Sequence, residues 1–366
     1  MDHGAKGFYT KVLREFGLAA VSSVEFRREK AGHVCMCHPV DNSTSDAHRG
    51  SAAKQVIIQK SRGTKDSLRY AKYVLDKLHD EGIDNVGHLH STESGSGEPF
   101  YEYDGELYTV AMYIGTSVTW ETLVESDFSD SDCAAGIACA VAKIHKATAQ
   151  PKFFEDFNHT LPKRKEHESF THVNGFEKQL KLMQSFKKIT KRQSRLSDFD
   201  VFFLKNFPEY EKRLHRTREL LRNNSRMSAG SFCHNTLKEE MVLRGSVSEQ
   251  IRRKFYFTGF DECSHDCSLL DLASIVRRFL REAAAPTVAD IRKILSSYVE
   301  EYTLDDDDFR ALHGILIFPD RFHKACIKYY SKRRTFTPAA FESTKGMADS
   351  MNEPHIDLIE SCFGEI

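Results

Sequence analysis

The sequence predicts an α+β fold in two lobes. A small antiparallel sheet with one inserted helix spans residues 1–115, and a larger, mainly helical lobe spans 116–366. Three observations predict it. Alternating, β-branched segments cluster before residue 115, and one strong helical stripe interrupts them. Beyond Trp120 helical periodicity takes over, with a single later strand pair.

In chain order, "GFYTKVLREFGL" is a short amphipathic helix stopped at Gly17, and "VSSVEFRREKAGHVCMCHP" alternates as a strand pair turning near Ala31-Gly32. "NSTSDAHRGSAA" is a polar loop, and "KQVIIQK" a strand with a β-branched centre. In "KDSLRYAKYVLDKLHDEG", Leu68, Ala71, Val74, Leu75 and Leu78 fall at helical spacing and Gly82 ends the run. "VGHLHST", the turn "ESGSGE" and "PFYEYDGELYTVAMYIG" complete a hairpin. After Trp120, "SDFSDSDCAAGIACAVAKIHKAT" is a helix with a buried small-residue stripe, followed by two long amphipathic helices over 168–192 and 198–224. "MVLRG" and "KFYFTGF" flank the loop "SVSEQIR" as a hairpin, and four consecutive helical segments run from "LLDLASIV" to "KYYSKRR".

Composition excludes several classes. Lys+Arg at 52 nearly cancels Asp+Glu at 53, so no global field points to nucleic acid or an anionic membrane. No apolar run approaches the ~20 residues of a membrane span. The 26 Phe imply aromatic cores. Nine Cys without a dense framework, behind the polar start Met1-Asp2-His3, read as reduced cytosolic thiols. Cys35/Cys37 with His33 and His38, and Cys263/Cys267 with His265, lack the usual structural-zinc spacings.

A small sheet lobe, a linker and a helical lobe with one hairpin is the layout of the protein-kinase-like fold. Its chemistry needs a strand Lys for the nucleotide phosphates, a helix Glu to hold that Lys, an Asp facing the attacking hydroxyl, and an Asn and second Asp for the metal ions. Gln59 takes the lysine register in "VIIQK", with Lys60 adjacent and on the opposite face. Ser67 to Leu75 contains no acid, and Tyr73 stands near the Glu position. In "SFCHNTLKEEMVLRG", His234 opens a catalytic-loop pattern, but Thr236 and Met241 replace its Asp and Asn. Neither suits its role: threonine is no base at neutral pH, and a thioether is a poor magnesium ligand. Gly259 fills the metal-binding position in "YFTGFDECSHDCSLLDLA", with Asp261 two residues on. No GxGxxG accompanies the first hairpin. No catalytic centre is intact: His234, Thr236, Met241 and Gly259 are remnant positions within a hairpin at 231–261.

"HNTLKEEMVL", "FYFTGFDECSHDCSLLDLASIVRRFLR" and "LIFPDRFHKACIKYYSKRR" resemble the spore coat CotS family, related to aminoglycoside phosphotransferases and choline kinases. "VLREFGL", "AGHVCMC", "YVLDKLHDEGIDNVGHL", "YTVAMYIG" and "VAKIHKAT" extend the resemblance over nearly the whole chain. Members usually carry His-Gly-Asp or His-Gly-Glu where His234-Asn235-Thr236 stands, Asn at Met241, and Asp or Asn at Gly259. The chain departs at each polar centre while keeping the apolar frame. The resemblance therefore implies a degenerate pseudokinase serving the spore coat as a structural or scaffolding component, made in the mother-cell cytoplasm and carried to the coat. Its partners would be other coat proteins or further copies of itself, with no nucleic acid and no membrane. A remnant nucleotide cleft would comprise Gln59, Lys60, Met112, Tyr113, Ile114 and Asp261. No cofactor or metal is expected. The alternative is an atypical phosphotransferase acting on a small hydroxyl or amino compound, using ATP and magnesium, with Asp261 and Glu239 or Glu240 replacing the lost acids.

Plainer roles stand beside these. His234 is a loop-capping relic or a catalytic group, and Asp271 caps the "DLASIV" helix and ties down the His234 loop. Asp305 to Asp308 favours a helix N-terminus. The run 163–192, nine Lys/Arg against three Glu, is a solvated helix face or a polyanion site. Phe170, Phe176, Leu180, Met183 and Phe186 form a core stripe. Phe336 to Cys362 serves assembly or packs on the large lobe.

Overall fold

The computed structural model describes residues 3–18, 21–29, 32–39, 55–93, 97–113, 119–122, 125–162, 173–222, 224, 230–235, 237, 242–246, 254–331 and 355–364. The chain divides into two compact units. One comprises Met1–Asp127, Cys139–Lys163 and Ser231–His265, the other Phe128–Ala138, Arg164–Gly230 and Asp266–Ile366. The expected boundary at 115/116 falls within the first of these units, which continues to Asp127 and also takes in Cys139–Lys163 and Ser231–His265.

The first unit is built on a six-stranded antiparallel sheet. Helix α1 (His3–Glu15) precedes β1 (Val21–Glu29), β2 (Gly32–Pro39) and β3 (Gln55–Ser61). After α2 (Lys65–Asp80) come β4 (His88–Leu89), β5 (Tyr101–Tyr103) and β6 (Glu106–Tyr113). The sheet order is β1-β2-β3-β6-β4, with β5 also on β6. Central β3 pairs along its length with β6, Ile58 opposite Val110. That pair packs on Val12, Leu13 and Phe16 of and just after α1, with Phe8, Tyr9, Tyr101 and Tyr108 around it. On the stripe that the periodicity of α2 predicts, Leu68, Ala71, Val74, Leu75 and Leu78 are all fully buried.

The predicted hairpin is β9 (Val242–Ser246) on β10 (Lys254–Phe257), Tyr256 opposite Leu243. Strand β7 (Thr119–Thr122), in a region expected to be helical, adds a third strand on β9. Its Thr-Trp-Glu-Thr sequence has the β-branched and aromatic content a strand favours. Two further three-residue strands, β8 (Ser231–Cys233) and β11 (Ser264–Asp266), pair with each other. The hairpin joins the large sheet through Asn85–Gly87. The Phe257 amide donates to Asn85 O (2.9 Å), and the Gly87 amide to Phe257 O (2.8 Å). This attachment places the hairpin in the first unit.

Helix α3 (Ser131–Thr148) passes from the second unit into the first. Otherwise the second unit is helical: α4 (Val173–Lys191), α5 (Asp198–Leu220), α6 (Leu269–Glu282), α7 (Val288–Val299), α8 (Asp306–Ile317), α9 (Asp320–Ser331) and α10 (Ile356–Phe363). Phe199, Phe203, Phe207 and Tyr210 on α5 are buried, and Phe203, Tyr210 and Phe322 stack as the aromatic core that composition implies. The Tyr210 hydroxyl and His323 Nδ1 hydrogen-bond at 2.8 Å, while burial drives the pKa of His323 down to about 4. Of the predicted stripe, Met183 is fully buried and Phe186 stacks on Tyr330; Phe170 and the side chain of Phe176 lie outside the described residues. Asp305 caps α8 by accepting from the Asp308 amide, as the acidic run implied. Asp271 is not a cap: Ser268 holds the N-cap position of α6, and Asp271 sits inside the first turn. The tail helix α10 packs, His313 stacking on Phe363 with ring centres 5.1 Å apart.

Candidate functional site

The remnant kinase positions that are described fall in the first unit, on β3, α2 and the 231–265 hairpin. Strand alternation puts Gln59 and Lys60 on opposite faces. Lys60 shares the α1 side with Ile58, and its Nζ meets Glu106 Oε1 at 2.9 Å, both side chains about half exposed. Gln59 pairs in register with Thr109, which is 3% exposed. The face available for phosphate contact thus presents an amide where an ammonium is needed.

The turn from β3 into α2 carries the tightest local geometry. Thr64 and Ser67 form a reciprocal capping box at the start of α2. The Ser67 hydroxyl also donates to the backbone carbonyl of Asp261 at 2.9 Å, 194 residues away in sequence. A Cβ on Gly63 would stand 2.1 Å from that same carbonyl oxygen, so only glycine permits the approach. The Asp261 carboxylate accepts the Arg62 amide at 3.3 Å and the Ser61 hydroxyl. Burial outweighs these two bonds and pushes the carboxyl up to about 6. Asp261 therefore clasps the β3–α2 turn with both its side chain and its backbone.

Around this clasp the hairpin is held by further polar contacts. His234, nearly fully buried, donates through Nε2 to Thr258 O at 2.8 Å and lies against the Phe260 ring. Asn235 adopts a left-handed backbone (φ 64°), which asparagine tolerates better than most residues. Its amide nitrogen donates to Glu262 O and Ser264 Oγ, both at 2.8 Å. Gly259 is also left-handed (φ 73°, ψ 46°), opening the 3₁₀ turn Phe260–Glu262. An aspartate at that position would carry the steric cost that glycine avoids.

Tyr73, near the missing helix glutamate, donates to Phe153 O at 2.8 Å and packs on the Phe157 ring at 4.9 Å. Lys77 reaches the same carbonyl at 2.9 Å. Tyr70, one turn earlier, is fully buried, hydrogen-bonds His265 Nδ1 at 3.3 Å and stacks on Phe154. This face of α2 is aromatic core.

The structure thus brings His234, Gly259 and Asp261 together through Thr258 and the 3₁₀ turn, and turns Lys60 away. Met112 and Tyr113 lie on β6 opposite Val56 and Gln55, their side chains outside the described part. Ile114, Thr236, Glu239, Glu240 and Met241 lie outside the described residues, as do the side chains of His33, Cys35, Cys37 and His38. The Cys263 thiol donates to Ser67 O. Sequence reasoning missed Ser61, Arg62 and Gly63. Their one local signal was a glycine between a strand and a capping threonine.

A family model described as "Spore coat putative kinase YutH" matches residues 36–350. No curated protein matches this sequence. Solved structures do. An aminoglycoside phosphotransferase from Alicyclobacillus acidocaldarius is 12% identical with a TM-score of 0.68, over 98% of this chain and 96% of its own. The spectinomycin phosphotransferase APH(9)-Ia, solved with ADP and spectinomycin, is 14% identical (TM-score 0.57), over 99% of this chain and 98% of its own. The amicoumacin kinase hAmiN, solved with AMP-PNP, Ca2+ and Ami, is 12% identical (TM-score 0.56), over 97% and 96%. At these identities the likeness shows the fold, which is the two-lobe kinase-like α+β fold. Among the described residues no helix is long and apolar enough to cross a membrane.

Proposed function

We propose a function from one established premise: the chain belongs to the spore coat putative kinase family YutH. On that premise it is a kinase-like protein that serves the spore coat as a structural or scaffolding component, with phosphoryl transfer impaired. The observation that carries this reading is the state of Asp261. The acid beside the lost metal position is buried, and its carboxylate is committed to the Arg62 amide and the Ser61 hydroxyl, where it holds the β3–α2 turn. Magnesium needs several converging oxygen ligands. Gly259 supplies none, and Met241 offers a thioether. Lys60 is engaged by Glu106 on the far face of β3. Since transfer rests on positioning and electrostatic stabilisation, losing the metal ligands and the phosphate lysine removes its main source.

A second reading has one observation in its favour. A buried carboxyl with a strongly shifted pKa is a common property of catalytic groups. On it, Asp261 with Glu239 or Glu240 would serve ATP-dependent phosphorylation of a small hydroxyl or amino compound. Turnover separates the two. The scaffold reading expects no magnesium-dependent ATP hydrolysis or transfer by the purified protein. Transfer that is lost in Asp261→Asn would overturn it.

A further inference from the structure

Four of the five large hydrophobic side chains left exposed among the described residues fall between 182 and 201: Leu182 (40%), Ile189 (55%), Leu196 (40%) and Val201 (55%). They run from the middle of α4 to the first turn of α5. The same stretch has a one-sided charge. Lys178 to Ser197 contains seven Lys/Arg and no Asp or Glu, and acids resume only at Asp198. The near-balance of 52 Lys+Arg against 53 Asp+Glu, which pointed away from an anionic membrane, averages over this local excess.

Helix geometry puts both features on one side of α4. At about 100° per residue, Lys178, Lys181, Leu182, Lys188, Ile189 and Arg192 fall in a strip about 120° wide. All six are exposed. The opposite side is committed to the core of its own unit. Met183 and Thr190 are fully buried there, Phe186 stacks on Tyr330, and Lys187 Nζ lies over the Phe207 ring at 4.1 Å. The helix therefore presents its cationic strip as a fixed outer surface and has no second apolar face to insert.

The composition of the strip selects its partner. A soluble polyanion would pair with the ammonium groups and leave Leu182, Ile189 and Leu196 in water, so their exposure would go unused. A protein partner is expected to meet aromatic anchors and few lysines. Between Lys178 and Ser197 the one aromatic residue, Phe186, is taken up by Tyr330, and five of the seven cations are lysine. An anionic bilayer surface uses both components. Lysine stems lie along the interface with their ammonium groups at the phosphates, and aliphatic side chains reach the acyl boundary between them.

We propose that the outer strip of α4, continued by Leu196 and Val201, is a docking surface for an anionic phospholipid bilayer, held by lysine–phosphate attraction and shallow insertion of its aliphatic side chains. The surface is separate from the Asp261 clasp and stands whether or not the kinase-like cleft is active.

Co-sedimentation of the purified full chain with vesicles tests it. The protein should bind vesicles of phosphatidylcholine mixed with phosphatidylglycerol, ignore phosphatidylcholine alone, and dissociate as salt is raised. The pair Lys181→Glu and Lys188→Glu should weaken binding about tenfold or more. The pair Leu182→Gln and Ile189→Gln, which leaves the charge unchanged, should weaken it several-fold. Lys146→Glu with Lys152→Glu, exposed lysines outside the strip, matches the first pair in net charge and should bind nearly as wild type. The proposal fails if anionic vesicles are not bound, or if the Lys146/Lys152 pair loses binding as fully as the Lys181/Lys188 pair. It also fails if the Leu182/Ile189 pair binds as wild type, which would make the strip a plain polyanion surface.

Discussion

Replacing Asp261 with asparagine separates the stability role of this buried acid from any catalytic one. Burial, opposed by the Arg62 amide and the Ser61 hydroxyl, moves its carboxyl from 3.8 to about 6. The folded chain therefore holds that proton more tightly than the unfolded chain. The resulting stability is present in full below about 3.8 and is lost as pH rises through about 6. With each pH unit between those two values worth about 1.36 kcal/mol, the ionised side chain costs about 3 kcal/mol at pH 8. Asparagine keeps an oxygen to accept the Arg62 amide and never ionises. We expect Asp261→Asn to be about 1–3 kcal/mol more stable than wild type at pH 8, with roughly half the gap closed by pH 5. Denaturant unfolding at the two pH values measures both, through the midpoint at constant m-value. A variant less stable at pH 8, or a gap that does not change with pH, would refute the reasoning.

Two other substitutions probe the same frame. Gly63→Ala forces a Cβ to 2.1 Å from the Asp261 carbonyl, with backbone on both sides of the clash. It should cost about 2–4 kcal/mol, seen as a lowered denaturation midpoint; a neutral result would show that the turn does not approach Asp261. Tyr73→Phe removes a donor to Phe153 O, which Lys77 continues to satisfy. The loss should stay near about 0.5–1 kcal/mol, and a larger one would mean that Tyr73 does more than brace the aromatic face.

The parts of this fold legible in the sequence are those governed by local periodicity or local capping. The stripe from Leu68 to Leu78 identifies α2 because one helix face must be apolar, and Asp305 marks the start of α8 because its side chain bonds three residues ahead. Strands of three or four residues, such as Thr119–Thr122 and Ser231–Cys233, carry too few alternations to be read, and their pairing partners fix them. The site divides the same way. The absence of a lysine at Gln59 and of an acid at Gly259 is visible residue by residue. The clasp of Asp261 on Arg62 and Ser67 is not, since its members lie 199 and 194 residues apart.

The central claim is that the kinase-like frame persists without competent phosphoryl-transfer chemistry, and magnesium-dependent ATP turnover by the purified full chain tests it most directly. The account predicts turnover indistinguishable from a no-protein control, in wild type and in Asp261→Asn alike. Magnesium-dependent turnover in the wild type, abolished in the Asp261→Asn variant while its fold is retained, would contradict it.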